Sequence, residues 1–309
     1  MKVLVAGATG AIGRELVPRL VAAGHEVHGM TRKEGNRGLL EGMGALPVVA
    51  DALDAEPVAE AVARARPDAI VHQLTAIGDV DTRHMERSFA LTNRLRTEGT
   101  DHLLSAGQAV GVKRFVAQSH IVAYARTGGA TKTEEDPDDR APTAGMRPNL
   151  EAIEHLEEAV LGASWTDGIV LRYGWFYGPG TAMARGSKQA ELVRRRKFPV
   201  VADGGAVWSF VHIADAAAAT VAAVERGARG TYNVVDDDPA TVAEWLPELA
   251  EELGAKPPRR VPRLVGRLFA GETGVVMMTE LRGASNAKAR RELDWRPAHP
   301  SWRKGLAAA

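Results

Sequence analysis

Gly7, Gly10 and Gly13 close the opening stretch Met1-Lys-Val-Leu-Val-Ala-Gly-Ala-Thr-Gly-Ala-Ile-Gly13 with a GxxGxxG spacing. The chemistry available to that spacing is anion binding. Lys2–Ala6 is an apolar run of strand length, and from Ala11 the residues Ile12, Leu16 and Leu20 recur at helical intervals. A strand, a glycine turn and a helix start leave the N–H groups of the first helical turn aimed at a phosphate. Residues without Cβ let the backbone approach a pyrophosphate closely. Gly7, Thr9, Gly10, Ala11 and Ile12 are therefore the candidate pyrophosphate contacts. The alternative is a merely structural tight turn; the strand before, the helix after and a second strand beyond it argue against that.

A dinucleotide site selective for NAD places a carboxylate about twenty positions past the glycines, on the ribose 2′-hydroxyl. Here the second strand runs out through Gly29-Met30-Thr31-Arg32-Lys33, with no carboxylate at its tip. Thr31 and Arg32, with Lys33 nearby, would attract a 2′-phosphate, and a guanidinium grips phosphate at two points. NADP(H) is favoured over NAD(H); the competing reading makes Arg32 and Lys33 ordinary surface cations. Asp51, Ala52 and Leu53 follow the third strand, where a carboxylate can accept from the adenine amino group and Leu53 can lie against the ring. Asp51 as a helix N-cap is the alternative, for which Asp54 is better placed.

These residues need elements to position them. Strand patterns fall at Lys2–Ala6, Glu26–Met30, Leu46–Val49, Ala69–His72, Arg114–Gln118 and Gly168–Leu171, and helical patterns at 13–23, 57–66, 83–110 and 150–161. Strand then helix, repeated, predicts an α/β fold: a parallel sheet covered on both faces, with right-handed crossovers. Residues 127–148 are polar and rich in Gly, Pro and Asp, and read as a long surface loop. After Gly174 the signals shorten. Val207–Ile213 and Thr231–Val235 read as strands, 214–225 and 241–253 as helices, with Thr241 and Glu244 as a capping box. The expected organisation is a dinucleotide-binding domain over 1–173, with 206–235 returning to it, and a smaller substrate lobe over 174–309.

Composition narrows the function. The 309 residues are 45% hydrophobic, enough for a real core. Lys+Arg and Asp+Glu balance at 39 each, so no global field favours nucleic acid, and Arg194–Lys197 reads as a solvated helix face. With no cysteine, disulfides and thiolate chemistry are excluded. The nine histidines are scattered without metal-ligand spacing, so no metal is expected. No apolar run approaches the ~18–20 residues of a membrane span, and no secretory leader is visible, so a soluble cytoplasmic protein without a membrane partner is the expectation.

Further stretches join the opening turn in order: Ala50-Asp-Ala-Leu-Asp54, Gly111-Val-Lys-Arg-Phe-Val-Ala-Gln-Ser119, Leu171-Arg-Tyr-Gly-Trp-Phe-Tyr-Gly-Pro-Gly180, Phe210-Val-His-Ile-Ala-Asp215, Tyr232-Asn-Val-Val-Asp236 and Asn286-Ala-Lys-Ala-Arg-Arg-Glu-Leu-Asp-Trp-Arg-Pro297. In these the chain resembles the short-chain dehydrogenase/reductase superfamily, in particular its extended or atypical, epimerase/dehydratase-like branch. The resemblance implies a doubly wound parallel Rossmann sheet with a dinucleotide at its carboxyl edge and a smaller carboxyl-terminal lobe over the substrate. It places Leu74, Thr75 and Ala76 on the nicotinamide-ribose side. It is compatible with a homodimer paired through the helices near 83–110 and 150–161.

One departure from that pattern bears on chemistry. Most members carry Tyr-x-x-x-Lys, which moves a proton to or from the substrate oxygen, with a Ser or Thr upstream to orient it. Counting from Tyr124, the dyad positions hold Met146 and Leu150, and the Ser/Thr position holds His120. Three groups stand as substitutes. His120 titrates near neutral pH in its ordinary state, Tyr124 has a hydroxyl, and Ser119 can orient a carbonyl; each has a structural alternative as a satisfied loop histidine, a packed aromatic or a turn cap. Tyr173 is assigned to the cofactor side. Trp175, Phe176 and Tyr177, with Trp208 and His212, are assigned to a substrate pocket for a flat or apolar molecule, core packing being the alternative. Trp208 stands where sugar-nucleotide enzymes of this family commonly carry an arginine for the diphosphate, which argues against such a substrate.

The reading these residues favour is an NADP(H)-dependent oxidoreductase acting on a carbonyl, imine or activated alkene of an apolar or aromatic metabolite. Two others stay open: a catalytically silent NADP(H)-binding redox sensor, and an epimerase or lyase that recycles its cofactor internally.

Overall fold

The computed structural model describes residues 1–306, so the last three positions of the expected 174–309 lobe lie outside the described residues. Seven parallel strands form the central sheet: β1 (Lys2–Ala6), β2 (Glu26–Thr31), β3 (Leu46–Val49), β4 (Ala69–His72), β5 (Arg114–His120), β6 (Asp167–Tyr173) and β7 (Gly230–Val234). Their order is β7-β6-β5-β4-β1-β2-β3. Val3, Leu4, Val5 and Ala6 have no exposed surface, because a parallel strand at the sheet centre is covered on both faces. The chain reverses its direction of travel across the sheet between β1 and β4. That switch point opens a crevice at the carboxyl ends of the strands.

Helices cover both faces. In chain order they are α1 (Ala11–Ala22), α2 (Arg37–Gly42), α3 (Ala55–Ala65), α4 (Met85–Arg96), α5 (Glu98–Val110), α6 (Arg147–Gly162), α7 (Lys188–Arg194), α8 (Ile213–Arg226), α9 (Val242–Glu252), α10 (Arg263–Thr279) and α11 (Ala287–Glu292). On one face Leu16, Leu20, Ala216 and Ala223 of α1 and α8 pack against Val3 and Val5. On the other, Val58, Leu103 and Leu156 of α3, α5 and α6 pack against Leu4 and Ala117.

Three sequence expectations change. The helix expected over 83–110 is two, broken at Thr97 (φ −92°, ψ −83°). The Thr97 hydroxyl donates back to the Asn93 carbonyl (3.1 Å), a bond that bends helices. The break leaves Arg96 as the last residue of α4. The expected strand 207–213 divides at Ser209. Residues 207–208 pair antiparallel with 240–241, and 210–212 pair parallel with 175–177. The segment 127–148 is not all loop, since Thr131–Lys132 pairs with Gly283–Ala284. The Thr241/Glu244 capping box opens α9 as the spacing predicts.

Beyond the sheet a second core gathers Trp208, Phe210, Trp245 and Trp302. Among the described residues no helix is long and apolar enough to cross a membrane.

Candidate active site

The opening turn has the backbone geometry that a phosphate would need. Gly7 has φ +92°, and a Cβ there would lie 2.6 Å from the Gln73 carbonyl oxygen. A Cβ on Gly13 would collide with the Gly7 carbonyl and the Ala8 backbone. Only glycine lets α1 sit this close to the ends of β1 and β4. Gly10 caps α1 without a side-chain bond, so the first N–H groups of a 12-residue helix have no capping acceptor. Gly10 and Ala11 are exposed, Thr9 is half-buried and Ile12 is buried beneath them. Arg14 Nε donates to the Thr9 carbonyl (3.0 Å) and braces the turn. The residues therefore fit a pyrophosphate: a positive helix end, no Cβ in the way, and donors without partners.

At the tip of β2, Thr31 is buried and its Oγ1 accepts from the Lys33 N–H (3.3 Å) and Asn36 Nδ2 (3.0 Å). Arg32 and Lys33 are exposed, and neither side chain has an ion pair among the described residues. Beside them Asp51 is exposed and Oδ1 accepts the Leu53 N–H (3.0 Å), which holds Ala52 and Leu53 in a turn at the end of β3. Asp54 stands at the N-cap of α3 yet makes no side-chain capping bond.

Past β4, Leu74 and Ala76 are half-buried and Thr75 is exposed. The Leu74 N–H donates to His72 Nδ1 (3.2 Å) and the Ala76 N–H to Thr92 Oγ1 (3.0 Å), so the segment is held from beneath. Tyr173 is not on this surface. It has no exposed area, and its hydroxyl bonds Thr220 Oγ1 (2.6 Å) and accepts from Gln73 Nε2 (3.1 Å). Burial pushes its pKa up to about 12. Its work is to hold Gln73, the residue that abuts Gly7, and the direct cofactor contact expected of it is corrected.

The three proton-handling candidates separate. Ser119 is buried and its Oγ donates to Glu157 Oε1. Glu157 also accepts from Arg172 Nε (2.8 Å) and Nη2. Tyr124 is buried, donates its hydroxyl to Asn233 Oδ1 (2.8 Å), and lies under the Arg172 guanidinium (4.6 Å). Burial raises its pKa to about 12. Ser119 and Tyr124 thus belong to a buried ionic network between β5, β6 and α6, and their expected catalytic roles are corrected: neither hydroxyl is free to meet a substrate. His120 remains, half-buried at the carboxyl end of β5. Its Nδ1 accepts the Val122 N–H (3.0 Å), which leaves the proton of the neutral ring on Nε2. Burial, aided by the Arg96 charge, pushes its pKa down to about 3. The expectation that it titrates near neutrality is therefore corrected; it is a neutral donor. Met146, buried, precedes α6, and Leu150, half-buried, lies in its first turn.

The aromatic residues form a stack. Trp175, half-buried, lies parallel to Trp208 at 4.0 Å and meets the edge of His120 at 4.8 Å. Trp208 is itself buried, donates to the Met277 carbonyl (2.9 Å) and rests on Trp245 (4.8 Å), so it backs the lining without being part of it. Phe176 packs on Tyr173 (5.4 Å). Tyr177 is buried and packs edge-on against His212 (5.1 Å). The direct substrate contacts expected of Trp208 and Tyr177 are therefore corrected to support.

His212 stacks on His299 at 3.8 Å, and with Asp215 the two bring their ligand atoms within 4.8 Å. No sequence spacing could indicate this triad, because His299 lies 84 residues beyond Asp215. Asp215 accepts from the Ala298 N–H (3.0 Å), the His299 N–H (2.8 Å) and His299 Nδ1 (2.9 Å), and His212 Nδ1 accepts the Ala214 N–H (3.2 Å). Parallel imidazole rings do not converge on one ion. The cluster fastens the carboxyl-terminal segment onto α8.

Sequence reasoning also missed Arg96. It is buried, at the carboxyl edge of the sheet, and donates through Nη1 to Asn149 Oδ1 (2.7 Å) in the first turn of α6. Nothing local marks it, because the helix break that places it was not expected.

Residues 3–235 match the model of the family described as the NAD dependent epimerase/dehydratase family. The chain is 45% identical over 309 residues to a 3-diazoavenalumate denitrifying reductase from a Streptomyces species, covering 99% of both. It is 29% identical over 272 residues to a 2-alkyl-3-oxoalkanoate reductase from Stenotrophomonas maltophilia, covering 82% of this chain and 76% of that protein. Among solved structures, the UDP-glucose 4-epimerase of Thermus thermophilus in complex with NAD superposes with a TM-score of 0.74 at 26% identity, covering 99% of this chain and 96% of the other.

Proposed function

The chain belongs to the NAD dependent epimerase/dehydratase family, and from that premise we propose that it is an oxidoreductase that uses NADP(H) to reduce a flat aromatic substrate bearing a diazo or diazonium group. The observation that carries this is the pairing of aliphatic Met146 and Leu150 at the start of α6 with a neutral His120. Reduction of a ketone ends on an alkoxide, which needs a proton delivered on the spot. The reduced dinucleotide, when bound, supplies a hydride, and hydride plus an arenediazonium gives arene and N2 with no oxyanion to protonate. A site without a proton relay suits that acceptor. The Streptomyces relative is, by its name, a reductase that removes nitrogen from a diazo compound.

The residues divide the work. The Gly7–Gly13 turn and the start of α1 hold the pyrophosphate, Arg32 with Lys33 the 2′-phosphate, and Asp51 the adenine side. Leu74, Thr75 and Ala76 line the nicotinamide ribose. The Trp175 indole, backed by Trp208, offers a π face to a flat cationic ring. His120 donates from Nε2 and orients the substrate without exchanging its proton.

The test is a parallel assay of NADPH oxidation with an aromatic diazo-oxide and with the matching ketone and enone. Expected is one N2 released per NADPH consumed, with deuterium from the reduced coenzyme in the arene. Turnover confined to the ketone or enone refutes the diazo assignment, and tight coenzyme binding without any turnover favours the redox-sensor reading.

A further inference from the structure

Arg96 has no carboxylate of its own. Its neighbours at the carboxyl edge are His72 and His120 at the ends of β4 and β5, and Asn149 on α6. The only hydrogen bond its guanidinium makes among the described residues is to the neutral Asn149 amide. The Glu157 carboxylate acts on it through charge alone and is hydrogen-bonded instead by Arg172 and Ser119. A cation that is 4% exposed and has only a shared, unbonded carboxylate as counter-charge is costly to hold, and the chain retains it at the carboxyl edge of the sheet.

The geometry of the one bond is informative. Asn149 takes Nη1, which leaves the Nε–Nη2 edge without a partner. That edge is not sealed either, since neither atom is among the buried polar atoms without a partner. Two parallel N–H groups on one edge match the two oxygens of a carboxylate. A phosphate is already provided for at the Gly7 turn and at Arg32, and a neutral acceptor would leave the charge uncompensated.

We infer that Arg96 is the carboxylate-binding residue of the substrate site: it grips a carboxylate carried on the aromatic substrate while the ring lies on Trp175. The inference rests on the reading of the crevice as a reductase site and deepens it by giving the substrate a negative end. His120 Nε2 stands beside it as a second, neutral donor. Substrates of this enzyme are then aromatic acids, held by their carboxylate with the reacting ring carbon directed toward the nicotinamide side.

The test uses binding and needs no turnover, so it can fail separately from the proposed reaction. Cinnamate and its neutral amide, cinnamamide, are titrated into the NADP⁺-loaded protein and followed by quenching of tryptophan emission. The wild type is expected to prefer the acid by about 10- to 100-fold, the range of a desolvated charge-assisted pair. In Arg96→Met the preference falls to within about 2-fold, while affinity for the amide and for NADP⁺ stays. Arg96→Lys, which keeps the charge and loses the fork, retains part of the preference. Equal wild-type affinity for acid and amide overturns the inference. So does a preference that survives in a folded Arg96→Met protein. If that variant does not fold, the wild-type comparison and the lysine variant decide.

Discussion

Replacing Arg32 by alanine tests the proposal that this side chain selects between the two coenzymes. The side chain is exposed at the tip of β2 and makes no internal ion pair, so its loss leaves no orphaned partner and the fold unchanged. A hydrogen bond to a charged group contributes about 1.5–3 kcal/mol. Solvent screening at an exposed site favours the lower end, about 1.5–2 kcal/mol, or roughly 10- to 30-fold in affinity. The assay is a fluorescence titration with NADPH and NADH in parallel. NADPH should weaken by that factor in Arg32→Ala and NADH by less than about 2-fold, since its 2′-hydroxyl carries no charge. Rising salt should narrow the wild-type preference, because the pair lies within reach of counter-ions. Equal wild-type affinity for the two, or equal loss of both in the variant, refutes the reasoning, because Arg32 then faces no phosphate.

Other perturbations follow from the same geometry. Burial lowers His72 to about 4 and His120 to about 3 from an ordinary 6.5. Protons the folded state refuses are taken up by the unfolded chain, so stability present above pH ~6.5 is lost as pH falls toward those values. The slope is at most about 1.4 kcal/mol per pH unit for each histidine, and urea unfolding at pH 7, 6 and 5 measures it. His120→Asn should make that slope shallower. Gly13→Val should destabilise by about 1–3 kcal/mol or more through collision with the Gly7 carbonyl, and abolish dinucleotide binding in whatever remains folded, as calorimetry would report. Glu157→Ala leaves Arg172 with Asp138 as its one remaining acid partner and should cost up to about 3 kcal/mol in a denaturant melt. Ser119→Ala and Tyr124→Phe should lower the melting temperature yet leave turnover within about 3-fold, since both hydroxyls serve the buried network; a hundredfold loss of turnover in a stable variant would return them to the mechanism.

The sequence by itself determined what depends on neighbours along the chain. Gly7, Gly10 and Gly13 between an apolar run and a helical pattern specify the tight turn into α1, because the requirement is local: a positive φ at Gly7, no Cβ and free helix N–H groups. The Arg32 tip, the Asp51 turn and the Thr241 capping box are legible for the same reason. So is the parallel sheet, through its repeated strand–helix pattern.

What only the tertiary structure decided is which polar groups remain free once the chain is packed. Ser119, Tyr124 and Tyr173 carry the right chemistry at plausible positions. Each finds its partner on a different element, Glu157 on α6, Asn233 on β7 and Thr220 on α8, at separations of 38, 109 and 47 residues. Arg96 is the converse, an unremarkable cation until the bend at Thr97 buries it at the carboxyl edge of the sheet with no carboxylate bonded to it. Hydrogen-bond satisfaction and desolvation are sums over everything within a few ångströms. No spacing in the chain encodes that sum when its terms come from four elements at once.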